Sequence, residues 1–336
     1  MLLVFFLITF ILYKKNVENI QIFAYLCQMN KKNYKKIVKD TISMCITQAP
    51  NGTMKTAVKG VKLFWGVEAS LPRPLVYQSG LFFLLQGEKK GQIRNYTFVY
   101  DQDYYLVFTS PVTSLCSYNA SYEKPVCGLF IEFCKNDIRE ILTKFPMTDK
   151  TKSKRHDHSP RFETINPTKV NSNMRIAIHR LLTIINDDIA SQILGKSIHQ
   201  EILFYALQDR NNLSLRSYYD RNNTNGRIDK LIEDIYLDIA QPINIQNMAK
   251  SVNMSSSTFY RIFIDKTGQS PLQFIKKLRL HKARDMIVFD GMSVGQAAHA
   301  VGYESQSQFS REFKKYFDMP AKEYHRSSES YWKFSD

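Results

Sequence analysis

Two stretches of the chain, fifty residues apart, carry the same pattern of side chains: Ser255, Ser257, Phe259, Arg261 and Phe263 recur as Ser305, Ser307, Phe309, Arg311 and Phe313. Phenylalanines four apart share one face of a helix, leaving the serines and the arginine on the other sides. A short helical pattern precedes each stretch (IQNMAKSV and VGQAAHAV), followed by a turn at Asn253-Met254 or at Gly302. Ala297 and Ala298 let two helices approach closely, Gly302 tolerates turn geometry, and Ser255 can cap the helix that follows it. Short helix, tight turn and capped helix make a helix-turn-helix unit, and its repetition is far more specific than a single match. Between the units PLQFIKKLRLHKARDMIV, residues 271–288, starts with proline in its first turn and spans 18 residues, about 27 Å as a helix. Upstream, Ile228, Leu231, Ile232, Ile235 and Ile239 line one helical face before Pro242.

Groove geometry turns this pattern into a chemical expectation. A 27 Å linker sets two helices near one turn of DNA apart, so both can enter successive major grooves on one side. Arginine can donate two hydrogen bonds to guanine, and glutamine can pair with adenine. Arg261, Arg311, Gln306 and Gln308 are therefore expected to contact bases. Phosphate contacts are assigned to Lys266, Lys314 and Lys315, with Ser255, Ser256 and Ser305 at the helix starts. Lys276, Lys277, Arg279, Lys282 and Arg284 put further positive charge on the linker. The formal net charge of +15 favours a polyanionic partner, double-stranded DNA above an anionic membrane surface.

The rest of the chain reads differently. From about 61 to 135, short runs rich in Val, Phe and Tyr (VKLFWGV, GLFFLLQ, YTFVY, YYLVF, CGLFIEF) alternate with turn residues that include Pro72, Pro74, Gly87 and Gly91. This spacing predicts a small antiparallel barrel or sandwich. KKIVKDTISMCI (35–46) before it reads as an amphipathic helix stopped by a Pro50-Asn51-Gly52 turn, and DIREILTKF (137–145) reads as a closing helix. Residues 146–172 read as a polar loop. Two helical patterns follow, with Ile176, Leu181, Leu182 and Ile185 on one face, then Ile198, Ile202, Leu203 and Ala206. These helices suit either packing on the strands or a homodimer contact. Residues 209–226, rich in Asn, read as a linker.

MSSSTFYRIFIDKTGQSP (254–271) and GYESQSQFSREFKKYFDMPAKEY (302–324) resemble the AraC/XylS family of bacterial regulators over roughly 228–326. The resemblance implies that Ser257, Tyr260 and Arg261, and Ser307, Gln308 and Arg311, face bases. GLFFLLQGEKK (80–90), YDQDYYLVF (100–108) and ASYEKPVCGLFIEF (120–133) are similar to the N-terminal domain of an AraC-type subgroup. That likeness implies a cupin-like barrel that senses a signal or mediates self-association. The fold expected is α+β and multidomain: an N-terminal antiparallel β-barrel with flanking helices over 29–208, a linker over 209–226, an all-helical DNA-binding domain over 227–327 and a tail over 328–336. The function expected is a cytoplasmic, sequence-specific transcription regulator, an activator by the family's commoner habit, working with RNA polymerase and tuned by a small-molecule or redox signal.

Other chemistries find little support. All seven histidines lie at 156 or later, so the strand region lacks the imidazoles that metal-dependent cupin enzymes use. No P-loop, GxSxG or HExxH pattern occurs, and neither catalysis, a metal nor a cofactor is expected. An enzyme tethered to DNA is the first competing reading. Phe82, Phe98, Tyr105, Phe108, Cys116 and Phe130 are the candidates for an aromatic ligand pocket, and would serve equally as a packed core. Cys116 reads as a buried thiol before it reads as a sensor. The opening run MLLVFFLITFILY is too short for a bilayer span and has no positive charge ahead of it, so residues 1–28 are read as a leader before a start at Met29. The alternative is a membrane-anchored regulator using residues 1–13; stable membrane association is not expected.

Overall fold

The computed structural model describes residues 32–93, 96–133, 135–144, 167–209, 212, 215 and 224–323. The apolar leader, residues 146–166 of the polar loop, most of the 209–226 linker and the tail lie outside the described residues. Among those described, no helix is long and apolar enough to cross a membrane.

Helix α1 (32–48) places Val38, Ile42 and Cys45 on one face and buries them. The strands then run β1 (Asn51–Lys55), β2 (Val61–Gly66), β3 (Ser70–Tyr77), β4 (Gly80–Gln86), β5 (Lys89–Ile93), β6 (Tyr96–Tyr100), β7 (Tyr104–Phe108), β8 (Val112–Tyr118) and β9 (Val126–Glu132). Helix α2 (Lys135–Lys144), the two-residue β10 (Thr168–Lys169), α3 (Ser172–Ile184) and α4 (Asp188–Gln208) complete the N-terminal domain. A large sheet has the order β1-β2-β9-β4-β7-β10 and a small one β3-β8-β5-β6, with antiparallel pairing throughout.

The large sheet is buried on both faces, which explains its nearly continuous apolar strands. Leu81, Phe83, Tyr105, Val107, Leu129 and Ile131 face α1, α3 and α4. Leu84, Leu106, Phe108 and Val126 face the small sheet, together with Phe98, Tyr100 and Cys116 from it. The barrel is not closed. β1 and β10 end one sheet, and β3 and β6 end the other. Pro72 and Pro74, expected as turn residues, sit inside β3, where an edge strand tolerates proline because its outer side forms no ladder. The register skips between Ser70 and Arg73 beside them.

Two other local expectations are corrected. Asn51-Gly52 opens β1 instead of forming a turn: Asn51 Oδ1 accepts from Val67 N at 3.0 Å, and a Cβ on Gly52 would meet the Trp65 ring at 2.5 Å. Helix α3 buries Met174, Ala177, Ile178, Leu181 and Leu182, whereas Ile176 is 50% exposed. The face is rotated from the expected one because Met174 and Ala177 are its inward anchors. In α4 the expected Ile198, Ile202, Leu203 and Ala206 are buried.

The C-terminal domain is all helical: α5 (Thr224–Leu237), α6 (Ile245–Ser251), α7 (Ser256–Thr267), α8 (Pro271–Phe289), α9 (Val294–Ala300) and α10 (Gln306–Phe317). α6 with α7, and α9 with α10, are the two helix-turn-helix units, and α8 joins them. The turns match: Asn253 and Gly302 both take positive φ, 56° and 84°. Serine caps α7, α8, α9 and α10, and Ser293 with Gln296 forms a full capping box. Phe259, Phe263, Phe309 and Phe313 are fully buried, in one core with Ile228, Ile232, Phe274 and Leu278.

One cation ties the second unit to the chain ahead of the first. Arg279 on α8 is 9% exposed, and its Nε donates to Ile239 O at 3.0 Å. Its Nη1 donates to Gly302 O at 3.1 Å, and its Nη2 donates to Gln241 O at 2.7 Å and Ala240 O at 3.4 Å. The chain leaving α5 and the turn of the second unit are thereby pinned to the same helix. Gly302 is required by more than its φ, since a Cβ there would lie 2.5 Å from Ala240 O. Lys282 adds hydrogen bonds to Tyr236 O at 2.9 Å and Leu237 O at 3.4 Å.

Arg279→Lys keeps the charge but loses the fork, so carbonyls lose their donors. It is expected to destabilise the C-terminal domain by about 2–4 kcal/mol, since hydrogen bonds to charged groups contribute about 1.5–3 kcal/mol each; a chemical-denaturation midpoint measures this. His281 supplies a pH test. It is 2% exposed, its Nε2 lies 3.1 Å from Tyr316 Oη and its Nδ1 has no hydrogen bond. Burial, and then the Arg284 and Lys277 charges, hold its imidazole well below the usual value of 6.5. Below that pH the unfolded chain takes up a proton that the folded domain refuses, so stability falls as pH falls. Between pH 7 and pH 5 the loss is expected to be at most about 2 kcal/mol, and His281→Phe is expected to remove it from the pH dependence of the unfolding midpoint.

Candidate nucleic-acid interface

The second helix of each unit carries its apolar residues inward and its polar residues outward. On α7, Ser256, Ser257, Arg261 and Asp265 are exposed and Tyr260 is 45% exposed. On α10, Gln306, Ser307, Gln308, Arg311, Lys314 and Lys315 are exposed. Arg261 and Arg311 thus stand at equivalent places on helices held by one linker of 19 residues, about 28 Å long.

The serines preceding these helices have work of their own. Ser255 Oγ accepts from Thr258 N and Ser305 Oγ accepts from Gln308 N, both at 3.3 Å. Ser255 Oγ also lies 3.2 Å from Ser257 Oγ and donates to Thr258 Oγ1 at 2.9 Å. Gln308 Nε2 donates to Glu312 Oε1 at 3.1 Å, one turn further along α10. Glu312 also accepts from Lys276 Nζ at 3.0 Å and Tyr303 Oη at 2.8 Å. Burial raises the pKa of Glu312, but hydrogen bonds from Gln308, Lys276 and Tyr303 outweigh it and leave the carboxyl below its ordinary value. An ionised carboxylate therefore orients Gln308. Sequence reasoning missed Glu312; its spacing of four from Gln308 was the available signal. Gln306 lies against α9, with Oε1 3.0 Å from the place of a Cβ on Gly295.

Lys266 departs from its expected place. Its Nζ lies 3.0 Å from Asp229 Oδ1 on α5, with side chains only 10% and 2% exposed. Thr109 Oγ1, from the N-terminal domain, donates to the other oxygen of Asp229 at 3.0 Å. The side chain expected on phosphate is thus held in a buried ion pair roofed by the N-terminal domain. The linker charges are also used internally: Lys276 on Glu312, Arg279 and Lys282 on carbonyls, Arg284 on Asp285 at 2.5 Å, and Lys277 5.7 Å over the Tyr316 ring.

The two domains also meet through Gln78 Nε2, donating to Tyr236 Oη at 2.9 Å, and Gln269 Nε2, donating to Thr113 Oγ1 at 2.8 Å. Burial first, then nearby Asp285, pushes the Tyr236 phenol up to about 12. Beside these contacts β5 and β8 enclose, with α7, α8 and α10, a cleft of about 280 Å³ lined by Ile93, Leu115, Gln269, Lys277 and Tyr316.

Of the aromatic pocket candidates, Phe98, Phe108 and Cys116 lie buried between the two sheets, with Phe82 packed against them. Phe130 is tilted against Phe82 with ring centroids 4.5 Å apart. Tyr105 points the other way: it stacks on Phe83 at 5.1 Å in the helix-facing core, and its hydroxyl accepts from Asn212 Nδ2 at 2.7 Å. Strand alternation separates it from its neighbour Leu106. Sequence reasoning did not single out Tyr77 and Tyr100, whose hydroxyls lie 3.5 Å apart in the same interior. Among the described residues, no group of three or more His, Cys, Asp or Glu is placed to hold a metal.

Residues 57–212 match the family described as AraC-type transcriptional regulator N-terminus, and residues 248–327 match a helix-turn-helix domain family. The chain is 24% identical over 242 residues to the Msm operon regulatory protein of Streptococcus mutans, covering 70% of this chain and 80% of that one. It is 28% identical over 100 residues to the lactose operon transcription activator of Staphylococcus xylosus, a match covering 30% of this chain and only 36% of that protein. In fold it is similar to ToxT from Vibrio cholerae O395, solved bound to (E)-4-(8-methylnaphthalen-1-yl)but-3-enoic acid, with a TM-score of 0.56, 11% identity, and coverage of 82% of this chain and 98% of that one. The paired helix-turn-helix units, the two-sheet domain ahead of them and these matches agree: the chain belongs to the AraC/XylS family of transcription regulators, with an AraC-type N-terminal domain.

Proposed function

We propose that the protein is a cytoplasmic, sequence-specific regulator that reads two adjacent major-groove segments of one DNA site, one with α7 and one with α10. The observation that carries this reading is the equivalent exposure of Arg261 and Arg311 on two helices fixed to a common linker. Ser257, Tyr260 and Arg261 read one segment; Gln306, Ser307, Gln308 and Arg311 read the other. Lys314 and Lys315, with the capping serines, contact phosphates. Lys266 joins them only where its pair with Asp229 opens. Activation is the favoured mode, supported by the name of the Staphylococcus relative, and it implies contact with RNA polymerase. The N-terminal domain receives a small-molecule signal, a reading supported by the organic acid bound to the ToxT neighbour. Self-association uses α3 and α4, where Ile176, Ile189 and Ile193 are 50%, 73% and 68% exposed. A binding role, and not catalysis, is supported by the regulators that the chain resembles.

Selection of DNA fragments by the full chain tests the reading. One bipartite site is expected to be enriched. Arg261→Ala and Arg311→Ala are each expected to relax a different half, at about 1–3 kcal/mol. Binding that is salt-sensitive but without preferred sequence, and unchanged by either substitution, contradicts it. Lys314→Ala and Lys315→Ala are expected to weaken binding to all sequences alike, each lowering the slope of log affinity against log salt by about 1.

A further inference from the structure

Glu312 is the one acidic side chain in the sequence of α10. A carboxylate beside a surface offered to phosphates opposes binding to a polyanion, and a side-chain pair one turn apart stabilises a helix only slightly. Neither effect accounts for the three donors that converge on it. Gln308 Nε2, from the same helix, reaches Oε1 at 3.1 Å, and Lys276 Nζ, from α8, reaches the same oxygen at 3.0 Å. Tyr303 Oη, just past the turn of the second unit, donates to Oε2 at 2.8 Å. Tyr303 is 7% exposed and meets the Phe309 ring edge-on, with centroids 5.3 Å apart. The carboxylate is thus fixed from the domain core and from the linker helix, half-buried, while Gln308 stands exposed beside it. The first unit is built differently: fifty residues earlier, Thr258 and Ile262 occupy the places of Gln308 and Glu312. Thr258 Oγ1 accepts from Ser255 Oγ at 2.9 Å, and Ile262 packs on the domain core.

We propose that Glu312 is a positioning residue that makes Gln308 read adenine and reject guanine at one base pair of the segment met by α10. The inference rests on the reading of α10 as a major-groove helix, and adds the base that one of its side chains selects. An ionised carboxylate only accepts hydrogen bonds, so the Gln308 amide turns its nitrogen, not its oxygen, toward Glu312. One N–H is thereby occupied. What remains is a carbonyl oxygen and a second N–H, the complement of the N6 amino group and N7 of adenine. Guanine shows two acceptors, O6 and N7, and calls for two donors. The held amide has only one left to give, and sets its oxygen against them. The negative charge behind the amide also favours the amino edge of adenine over the carbonyl edge of guanine. Holding a long, exposed side chain before DNA arrives lowers the entropy lost on binding. Thr258, at the matching place in the first unit, carries a hydroxyl that both donates and accepts and so discriminates less.

Binding of the full chain to its selected DNA site, with each base pair of the α10 half varied in turn, tests this. The base pair under Gln308 is the one whose preference falls in Gln308→Ala. Wild type is expected to prefer adenine to guanine there by at least about fivefold. Glu312→Gln, the uncharged isostere, is expected to bring that ratio within about twofold while the preference lost in Arg311→Ala stays intact. In the Gln308→Ala background the same substitution is expected to change nothing further at that base pair, the mark of a residue acting through another. Glu312→Asp keeps the charge beside Lys276 but falls one methylene short of Gln308. It is expected to lose the same ratio, which keeps the test valid if Glu312→Gln lowers the unfolding midpoint. The proposal is overturned by a ratio that both variants leave unchanged, by a loss spread evenly over every base pair of the half, or by an effect that persists in Gln308→Ala. A site still read through Arg261 and Arg311, with no base pair responding to Gln308→Ala, overturns this inference alone. Binding without any preferred site overturns the proposed function and this inference with it.

Discussion

The second helix-turn-helix unit is held to the chain between α5 and α6 because a single guanidinium on α8 binds the backbone of both. Arg279 reaches Ile239, Ala240 and Gln241 on one side and Gly302 on the other. Those carbonyls lie where a helix has ended, so without a donor they would be left unsatisfied in the interior. The planar fork suits them in a way that an ammonium does not. The proposed reading depends on α8, because Arg261 and Arg311 would address grooves one turn apart only if α8 keeps its ends in register. The fully buried phenylalanines of α7 and α10 set the tilt of each helix, and the serine caps fix where each begins.

The N-terminal domain bears directly on that surface. Its Thr109 donates to Asp229 Oδ2, while Oδ1 of the same carboxylate faces Lys266 at the end of α7. Removing water from an ion pair is worthwhile only where further hydrogen bonds satisfy the charges, and here one comes from another domain. The edge strand β3 and its neighbour β8 rest against α8, and β3 also meets α10. A change inside the two-sheet sandwich therefore has a short route to both units: Thr113 on β8 contacts Gln269 between α7 and α8, three residues along the strand from Cys116 in the sandwich interior.

The helical half was legible because its determinants are local. Phenylalanine spacing, serine caps, the turn glycine and the proline at the start of α8 each act within a few residues, and their repetition removed the ambiguity. The strand half was legible as strands but not as pairings. Pro72 and Pro74 looked like turns because nothing local says that β3 is an edge. Asn51-Gly52 looked like a turn because the Trp65 ring that requires the glycine lies on the next strand. Tyr105 was grouped with Phe108 although the odd spacing of three puts them on opposite faces, a point strand alternation settles once the strand is fixed. Lys266 was read from its own helix, while its partner Asp229 sits on α5.

The spacing between the two reading helices is the most direct test of the whole account. On a site selected by the full chain, base pairs inserted between the two halves can be scored by footprinting. A rigid α8 predicts that five inserted base pairs, half a turn of DNA, leave only one half protected and reduce affinity sharply. Protection of both halves at undiminished affinity after that insertion would show that the units move independently, and would contradict a DNA reader held rigid by α8.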